Sequence, residues 1–363
     1  MIEIAVDGRP LQGQLSGVGK YVWQTILNIL KITTNVTFTV YTNRPLEFKI
    51  EDDRISVYLD NRYQKLKPLL WSKFLLARLI KKNPPSFTFF GGTFTTVQKI
   101  PGKSIVVVHD LNHIYAKETM TKLHYYTHML FFKHDIKKAD FVICNSAGTS
   151  AKLKKLHNIQ SDFILHPPID ERYKLLSNAE VENVLNSLGI NYPYILTVAT
   201  QEPRKNLYKT IQAFKHLKAQ DEIKSYKLLL VGGKGWKNEE IQNLIISDPD
   251  IVELGYVDEH YLPYIYNGAK AFVFPSKYEG YGMPANEAIL CGKKPVVSDI
   301  DELHEATSRY GYFIDPDNIK EYADTILKAV IFSATHKRED INNITQDRLA
   351  ETNGLSNLLK ITS

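Results

Sequence analysis

The 363-residue chain contains only two cysteines, Cys144 and Cys291. Both lie in apolar segments with neither pairing nor metal-binding spacing. This excludes a disulfide scaffold and a cysteine-zinc site, and it reads as two buried free thiols in a reducing cytoplasm. Long hydrophobic runs are also lacking, since no stretch approaches the roughly 20 apolar residues needed to cross a bilayer. The opening MIEIAVDGRP is too short and too charged for a signal peptide. Standard phosphate loops are missing as well. In GRPLQGQLSGVGKYV, residues 8–22, Gln14 stands where a Walker A loop needs its first glycine, and Tyr21 stands where it needs Ser or Thr; the GxGxxG spacing is absent too. What is present describes a soluble globular protein, 44% hydrophobic and 23% charged, long enough for two domains of ordinary size.

The formal net charge of +5 hides an asymmetry. Residues 1–167 carry 23 Lys and Arg against 12 Asp and Glu, whereas residues 168–363 carry 22 against 28. A basic first half beside an acidic second half suggests that the first meets something anionic. Compositional drift in a lysine-rich proteome is the alternative.

Short apolar, β-branched runs alternate with amphipathic segments. Strands are expected at residues 2–6, 38–41, 87–90, 104–109 and 141–145, and a second series at 194–199, 226–232, 251–255, 271–276 and 294–298. Helical patterns separate them, among them KYVWQTILNIL, KNLYKTIQAFKHL and PANEAILCG. Near-continuous apolar strands between helices indicate parallel sheets covered on both faces. Two such series make two doubly wound α/β domains, joined near HPPID, where Pro167 and Pro168 forbid helix. Ligands of such sheets bind beyond the carboxyl ends of the strands, which places the deep site in a cleft between the domains.

Four stretches at strand ends carry candidate chemistry. EGYGMPANE puts Glu279 in a loop after a strand and Glu287 in the first turn of the helix that Pro284 opens. Gly280 and Gly282 permit close backbone approach, and the N–H groups around Tyr281, Gly282 and Met283 suit an anion at a helix N-terminus. This placement favours two grips on one ligand over an acid/base pair; a helix-favouring Glu287 and a surface Glu279 are the structural alternative. EPRKN places Arg204, Lys205 and Asn206 at another strand-to-helix turn, with a guanidinium fork and a mobile ammonium for a diphosphate, or else a solvated basic turn. Gly13, Gly17 and Gly19 precede a helix from about Lys20 and form a flexible loop able to pack on a phosphate. VVVHDLNHI ends a strand at His109, beside Asp110, where the imidazole is either catalytic or structural.

Together EGYGMPANEA, EPRKN, LGYV, SGVGKY and VVHDL resemble glycosyltransferase family 4, in matching order over nearly the whole chain. The resemblance implies the GT-B fold, two Rossmann-like parallel-sheet domains facing each other across a cleft. Residues 1–167 would bind the acceptor, 168–345 the nucleotide sugar, and 346–363 would pack back toward the N-terminal domain. It implies a retaining hexosyltransferase using a nucleotide diphosphate sugar, with GDP-mannose the best match and UDP- and dTDP-sugars open. The acceptor would be a glycan or polyprenyl-diphosphate-linked glycan of bacterial surface polysaccharide. By the same resemblance Glu287 would hold the ribose, Glu279 the transferred sugar, and Arg204 and Lys205 the diphosphate. Tyr256 and Val257 would line the base, Gly17 and Gly19 would close over the phosphates, and His109 would face the sugar. CGKKPVV departs from the family by placing Lys293 and Lys294 before the strand, and NGLSNLLKITS lacks its aromatic-led closing helix.

No metal or other cofactor is expected. Of three Asp-x-Asp triplets, Asp248–Asp250 and Asp315–Asp317 enclose proline and read as turns, and Asp299–Asp301 reads as a turn or cap. The basic pair Arg204 and Lys205 supplies what a metal would. Nucleic acid is not an expected partner. An anionic membrane surface is, through residues 62–82, where Lys65, Lys67, Lys73 and Arg78 interleave with Leu70, Trp71, Phe74 and Leu76. A helix packed on the sheet with lysine stems reaching water explains the same pattern. KLHYYTHMLFFKHDIKK, residues 122–138, is a second basic-aromatic run, expected to line the acceptor side of the cleft. The expected location is therefore cytoplasmic, peripheral on the inner membrane face. An epimerase-like nucleotide-sugar enzyme, a hydrolase using both glutamates, and a non-catalytic sugar-binding relative remain as alternatives.

Overall fold

A computed structural model describes residues 1–168, 170–219, 223–235 and 239–335. The segment 346–363, expected to pack back on the first domain, lies outside the described residues. The chain divides into two compact units, which part after Pro168 and before Asp170.

The first unit is a seven-stranded sheet: β1 (Ile2–Asp7), β2 (Val36–Thr42), β3 (Ile55–Leu59), β4 (Phe87–Phe90), β5 (Lys103–Val108), β6 (Phe141–Cys144) and β7 (Phe163–Ile164). Their order is β3-β2-β1-β4-β5-β6-β7, and every pairing is parallel. Successive side chains enter opposite cores, Ile4 and Val6 joining one cluster and Ala5 the other. Both faces are therefore apolar, which explains the unbroken hydrophobic runs.

The second unit repeats the plan with six strands: β8 (Tyr194–Val198), β9 (Lys227–Val231), β10 (Ile251–Gly255), β11 (Ala271–Phe274), β12 (Val296–Ser298) and β13 (Tyr312–Ile314). The order β10-β9-β8-β11-β12-β13 is the doubly wound arrangement, whose direction of progression reverses between β8 and β11. Helices Leu207–Leu217 and Ile319–Thr335 lie on one face, with Ile211, Phe214, Tyr322 and Ile326 in the core. The ten strands expected from sequence are present; β3, β7 and β13 were not anticipated.

The basic stretch 62–82 turns inward. It forms two short helices, Pro68–Phe74 and Leu76–Ile80, and Trp71, Leu76, Leu79 and Ile80 are buried in the core. Four such side chains at about 1.5–3 kcal/mol each hold this face against the sheet. Its membrane-facing reading is therefore corrected: Trp71 donates to Asp60 at 3.0 Å inside the fold and is no interfacial anchor. Lys73 does not reach water either. Its Nζ lies 2.6 Å from Asp135 Oδ2, both side chains 1% exposed, and Asp135 also accepts from the Thr95 amide. Burial pulls the Lys73 ammonium below the usual lysine range, and Asp135 opposes the shift.

Removing one member of that pair strands a buried charge. Lys73→Met should cost about 3–5 kcal/mol in urea denaturation, and adding Asp135→Leu should recover much of the loss. A Lys73→Met chain as stable as the parent would show that the pair contributes nothing.

Candidate functional site

The reversal point of the second sheet is where the loops after β8 and β11 meet. The first loop runs through Gln201 and Glu202 into a short 3-10 turn, Pro203–Lys205; Asn206 then turns left-handed at φ 57° and starts helix Leu207–Leu217. The second loop carries Tyr278 and Glu279.

Glu279 joins the two loops. Its Oε1 accepts from Lys205 Nζ at 2.6 Å, and its Oε2 lies 3.0 Å from Arg204 Nη1. Arg204 also donates to the Tyr278 carbonyl at 2.8 Å and to Glu202 Oε1 at 2.5 Å. Lys205 Nζ sits 4.7 Å from the centre of the Phe274 ring. Glu279 and Glu202 are only 6% exposed, so the cluster is a nearly dry arrangement of two carboxylates and two cations. Burial alone would raise the Glu279 carboxyl; the charges of Arg204 and Lys205 reverse this and hold it at about 2. Burial and the neighbouring Arg204 pull Lys205 down, against Glu279.

Glu287 occupies a different setting. Helix Met283–Leu290 starts at Gly282, with φ 109°, and no side chain caps it. Glu287 falls past the first turn, which corrects the expected placement; its Oε2 instead accepts from the buried hydroxyl of Tyr266 at 2.8 Å. Gly282 has a packing reason to be glycine, because a Cβ there would come within 2.5 Å of Leu303. Tyr281 is buried and Met283 half-buried beside it. Tyr256 and Val257 follow the left-handed Gly255 at the end of β10, with Tyr256 54% exposed.

In the first unit, Gly17 and Gly19 are already helical. Ser16 caps helix Gly17–Ile32 by accepting from the Gly19 amide, and a Cβ on Gly19 would stand 2.4 Å from the Pro10 carbonyl oxygen. Gly19 is thus a contact glycine rather than part of a flexible loop, whereas Gly17 has open space around it. His109 is buried at the end of β5, 2.6 Å from the Gly91 carbonyl through Nε2 and edge-on to Tyr21. A carbonyl only accepts, so Nε2 carries the proton. Burial keeps the ring below the ordinary imidazole range, and hence neutral, against the opposing effects of Gly91 and Asp110.

The structure therefore brings Arg204, Lys205 and Glu279 into direct contact and adds Glu202. It also adds a close-packed glycine loop after β9, where a Cβ on Gly232 would lie 2.1 Å from the Ala199 carbonyl oxygen. VGGKG at a strand's carboxyl end was a usable signal for that loop. No sequence signal marked Tyr266, which is 21 residues before its partner and lies on another helix. Among the described residues no group of three or more His, Cys, Asp or Glu is arranged to hold a metal. Asp248 and Asp315 each accept from the amide two residues on, as turns do, and Asp299 meets His304 at 2.6 Å. The two family-departing lysines are structural: Lys293 donates to the Asn267 carbonyl, and Lys294 lies among Tyr310, Tyr312 and Phe332.

Comparison with known proteins gives this geometry a family. Residues 181–348 match the family "Glycosyl transferases group 1". The chain is 31% identical over 201 residues to O-antigen chain mannosyltransferase B of Escherichia coli, covering 54% of this chain and 52% of that protein. It is 25% identical over 279 residues to O-antigen chain mannosyltransferase RfbU of Salmonella typhimurium, covering 73% and 72%. A third relative, the serotype-specific mannosyltransferase WbdA of Escherichia coli, is 25% identical over 68% of this chain but 31% of its own length. The chain thus spans about half, or less, of the first curated relatives it matches. Among solved structures, a sucrose-phosphate synthase of Thermosynechococcus elongatus superposes with TM-score 0.74 at 17% identity over the whole of both chains. WaaG, a glycosyltransferase involved in lipopolysaccharide biosynthesis, does so at 0.65 and 15%, over 96% of this chain and 99% of its own. Residues 181–348 thus match a glycosyl transferases group 1 domain, and the two parallel-sheet units have the GT-B fold.

The depressed Glu279 carboxyl fixes a pH dependence. Its folded value lies below its ordinary 4.5, so the ionised form stabilises the fold fully above about pH 5. That stability is lost as the pH falls through about 2. At 1.36 kcal/mol per pH unit the contribution is about 3 kcal/mol at neutrality. Glu279→Gln should lose about that much in denaturant unfolding at pH 7, and the gap to the parent should narrow toward pH 2. A gap that is constant across the range would disprove the ion-pair account.

Proposed function

We propose that the protein is a retaining glycosyltransferase that moves a hexose from a nucleotide diphosphate donor, GDP-mannose by preference, to a glycan or polyprenyl-diphosphate-linked acceptor. The product would be a bacterial surface polysaccharide, made at the cytoplasmic face of the membrane. The observation that carries this reading is the buried Glu279–Lys205–Arg204 cluster at the reversal point of a group 1 glycosyl transferase domain. Its mannosyltransferase relatives favour mannose.

The donor's charge can be met by the chain itself. Arg204 and Lys205 would stabilise the leaving diphosphate without a divalent metal, which is the step where preorganised charge contributes most. Tyr266 would orient Glu287 toward the ribose, Tyr256 and Val257 would flank the base, and Gly282 and Met283 would offer the helix start. Glu279 suits neither acid/base catalysis nor covalent attack. Held at about 2, its carboxyl carries no proton to donate at neutral pH, and both oxygens are engaged by cations. Its low basicity makes it a weak nucleophile, so retention by front-face substitution without a glycosyl-enzyme is the consistent route. The same property counts against a hydrolase with a paired acid and base.

Thermal melting with GDP, UDP and dTDP tests the donor. GDP at a hundred times its Kd should add about 2.7 kcal/mol of stability, with the other two weaker. Transfer from GDP-mannose should give the retained anomer. A larger shift with UDP or dTDP would reassign the donor; inversion, or a sugar trapped on Glu279, would overturn the mechanism. Sugar conversion without any acceptor would instead favour epimerisation.

Arg204→Ala should lower kcat/KM by about 100- to 1,000-fold, in line with loss of one preorganised charge donor. A near-normal kcat/KM in a folded variant would remove Arg204 from the diphosphate role.

A further inference from the structure

A cavity of about 780 Å3 lies at the edge of the second unit opposite the Arg204–Lys205–Glu279 cluster. Tyr194, which opens β8, and Lys270, which precedes β11, both line it. It therefore sits at the amino ends of the two strands whose carboxyl-end loops hold the cluster. Strand β8, at about 3.3 Å per residue, puts roughly 15 Å between the two places. The volume falls within the roughly 300–1,000 Å3 of sites that take small ligands.

One wall is helix Asn178–Ser187. Asn178, Glu182 and Asn186 line the cavity at every fourth position, about 6 Å apart along the axis, and the buried Val181 and Leu185 make an apolar floor beside them. The three polar residues are exposed, and their side chains hydrogen-bond to no described residue. The walls themselves are fixed. A capping box between Ser177 and Glu180 sets the start of the helix. The Asn267 side chain accepts from the Leu176 amide at 3.1 Å and donates to the Lys174 and Pro263 carbonyls at 2.9 and 2.8 Å. A Cβ on Gly268 would stand 2.4 Å from Leu185 and 2.7 Å from the Tyr194 hydroxyl, so the two sides meet in close contact. Asn191, Tyr192 and Lys270 complete the rim, while Lys293 gives its Nζ to the Asn267 carbonyl at 2.8 Å. With Lys293 engaged, Glu182 is set against Lys270, and the rim lacks the grouped cations that a phosphate ligand calls for. Amides that both donate and accept, over an apolar floor, suit a ligand with many hydroxyls and apolar C–H faces.

We infer that this cavity is a second glycan-binding site, which holds a short run of neutral sugar units away from the place of transfer. Asn178, Glu182 and Asn186 bond successive sugar hydroxyls, and the C–H faces of the rings lie on Val181 and Leu185. That these sugars are mannose units of the product rests on the function proposed above. The cavity itself does not, because its binding needs neither donor nor transfer.

Titration calorimetry of the full chain with a linear mannotetraose, in the absence of any donor, tests it. The parent should bind, and Asn178→Ala/Glu182→Ala/Asn186→Ala should raise the Kd by at least about tenfold through the loss of three hydrogen-bonding groups. Asn191→Ala/Lys270→Ala, on the opposite wall, should weaken binding in the same direction. All five positions are exposed, so melting temperatures should stay at the parent's, as should the thermal shift with GDP. A parent that binds no mannotetraose, or variants of both walls that bind it like the parent, would overturn the inference. A chain that binds mannotetraose in this cavity yet transfers no sugar from any nucleotide donor would leave the site standing and refute the enzyme reading instead.

Discussion

Glu279 holds the ligand edge of the second unit together by satisfying two cations at once. Without a carboxylate between them, Arg204 and Lys205 would be like charges a few ångströms apart in a nearly dry site, a costly arrangement to bury. With it, the loops after β8 and β11 are tied across the point where the sheet order reverses. Glu202 takes the other side of the guanidinium, and the Tyr278 carbonyl fixes its plane. The position of this edge is thus set by charge pairing, while the sheet beneath it is set by apolar packing.

The first unit solves the corresponding problem with the same device. Arg9 follows β1 and donates to the Gly92 carbonyl at 2.7 Å, beyond the end of β4, while its backbone amide donates to the buried Asp7. The strands β1 and β4 flank the reversal in that sheet as β8 and β11 do in the other. In each unit, then, an arginine from the first strand's loop crosses to a carbonyl of the fourth strand's loop. A reversal point has two loops diverging to opposite faces, and a long planar donor suits that gap. The difference lies in the partners: a carboxylate-bridged Arg–Lys pair in the second unit, and in the first a guanidinium 3.6 Å from the Asp7 carboxylate and beside Phe94.

Much of this was legible in the sequence because parallel strands covered on both faces need continuous apolar runs. The strands that escaped notice are at sheet edges or are very short. Val57 and Tyr58 of β3 are each more than 40% exposed, and β13 spans only three residues, so neither needed such a run. The grouping of Arg204 and Lys205 with Glu279 was legible as motif, since both stretches end strands. Its internal electrostatics was not, because whether a carboxylate grips a ligand or a lysine depends on distances that spacing does not encode. The stretch 62–82 failed for a related reason. A broad apolar stripe with lysines reads alike whether it faces lipid or core, and only the buried Asp135 partner, 62 residues beyond Lys73, decides that Lys73 goes inward.

Under the proposed function, the pairing at Glu279 would also constrain how a diphosphate enters. Two carboxylates already balance two cations, so an arriving dianion meets a site with no formal excess of positive charge. Its attraction would then come from the backbone at the start of helix Met283–Leu290, which no side chain caps. In that function, such a site would bind the ground-state diphosphate modestly. As the glycosidic bond broke, charge would accumulate on the leaving oxygen and the same fixed dipoles would gain in value, because Glu279 keeps Arg204 and Lys205 oriented in advance. An arrangement that neutralises its own cations would therefore give up ground-state affinity and retain selectivity for the transition state, the distribution of binding energy that raises kcat rather than lowering KM.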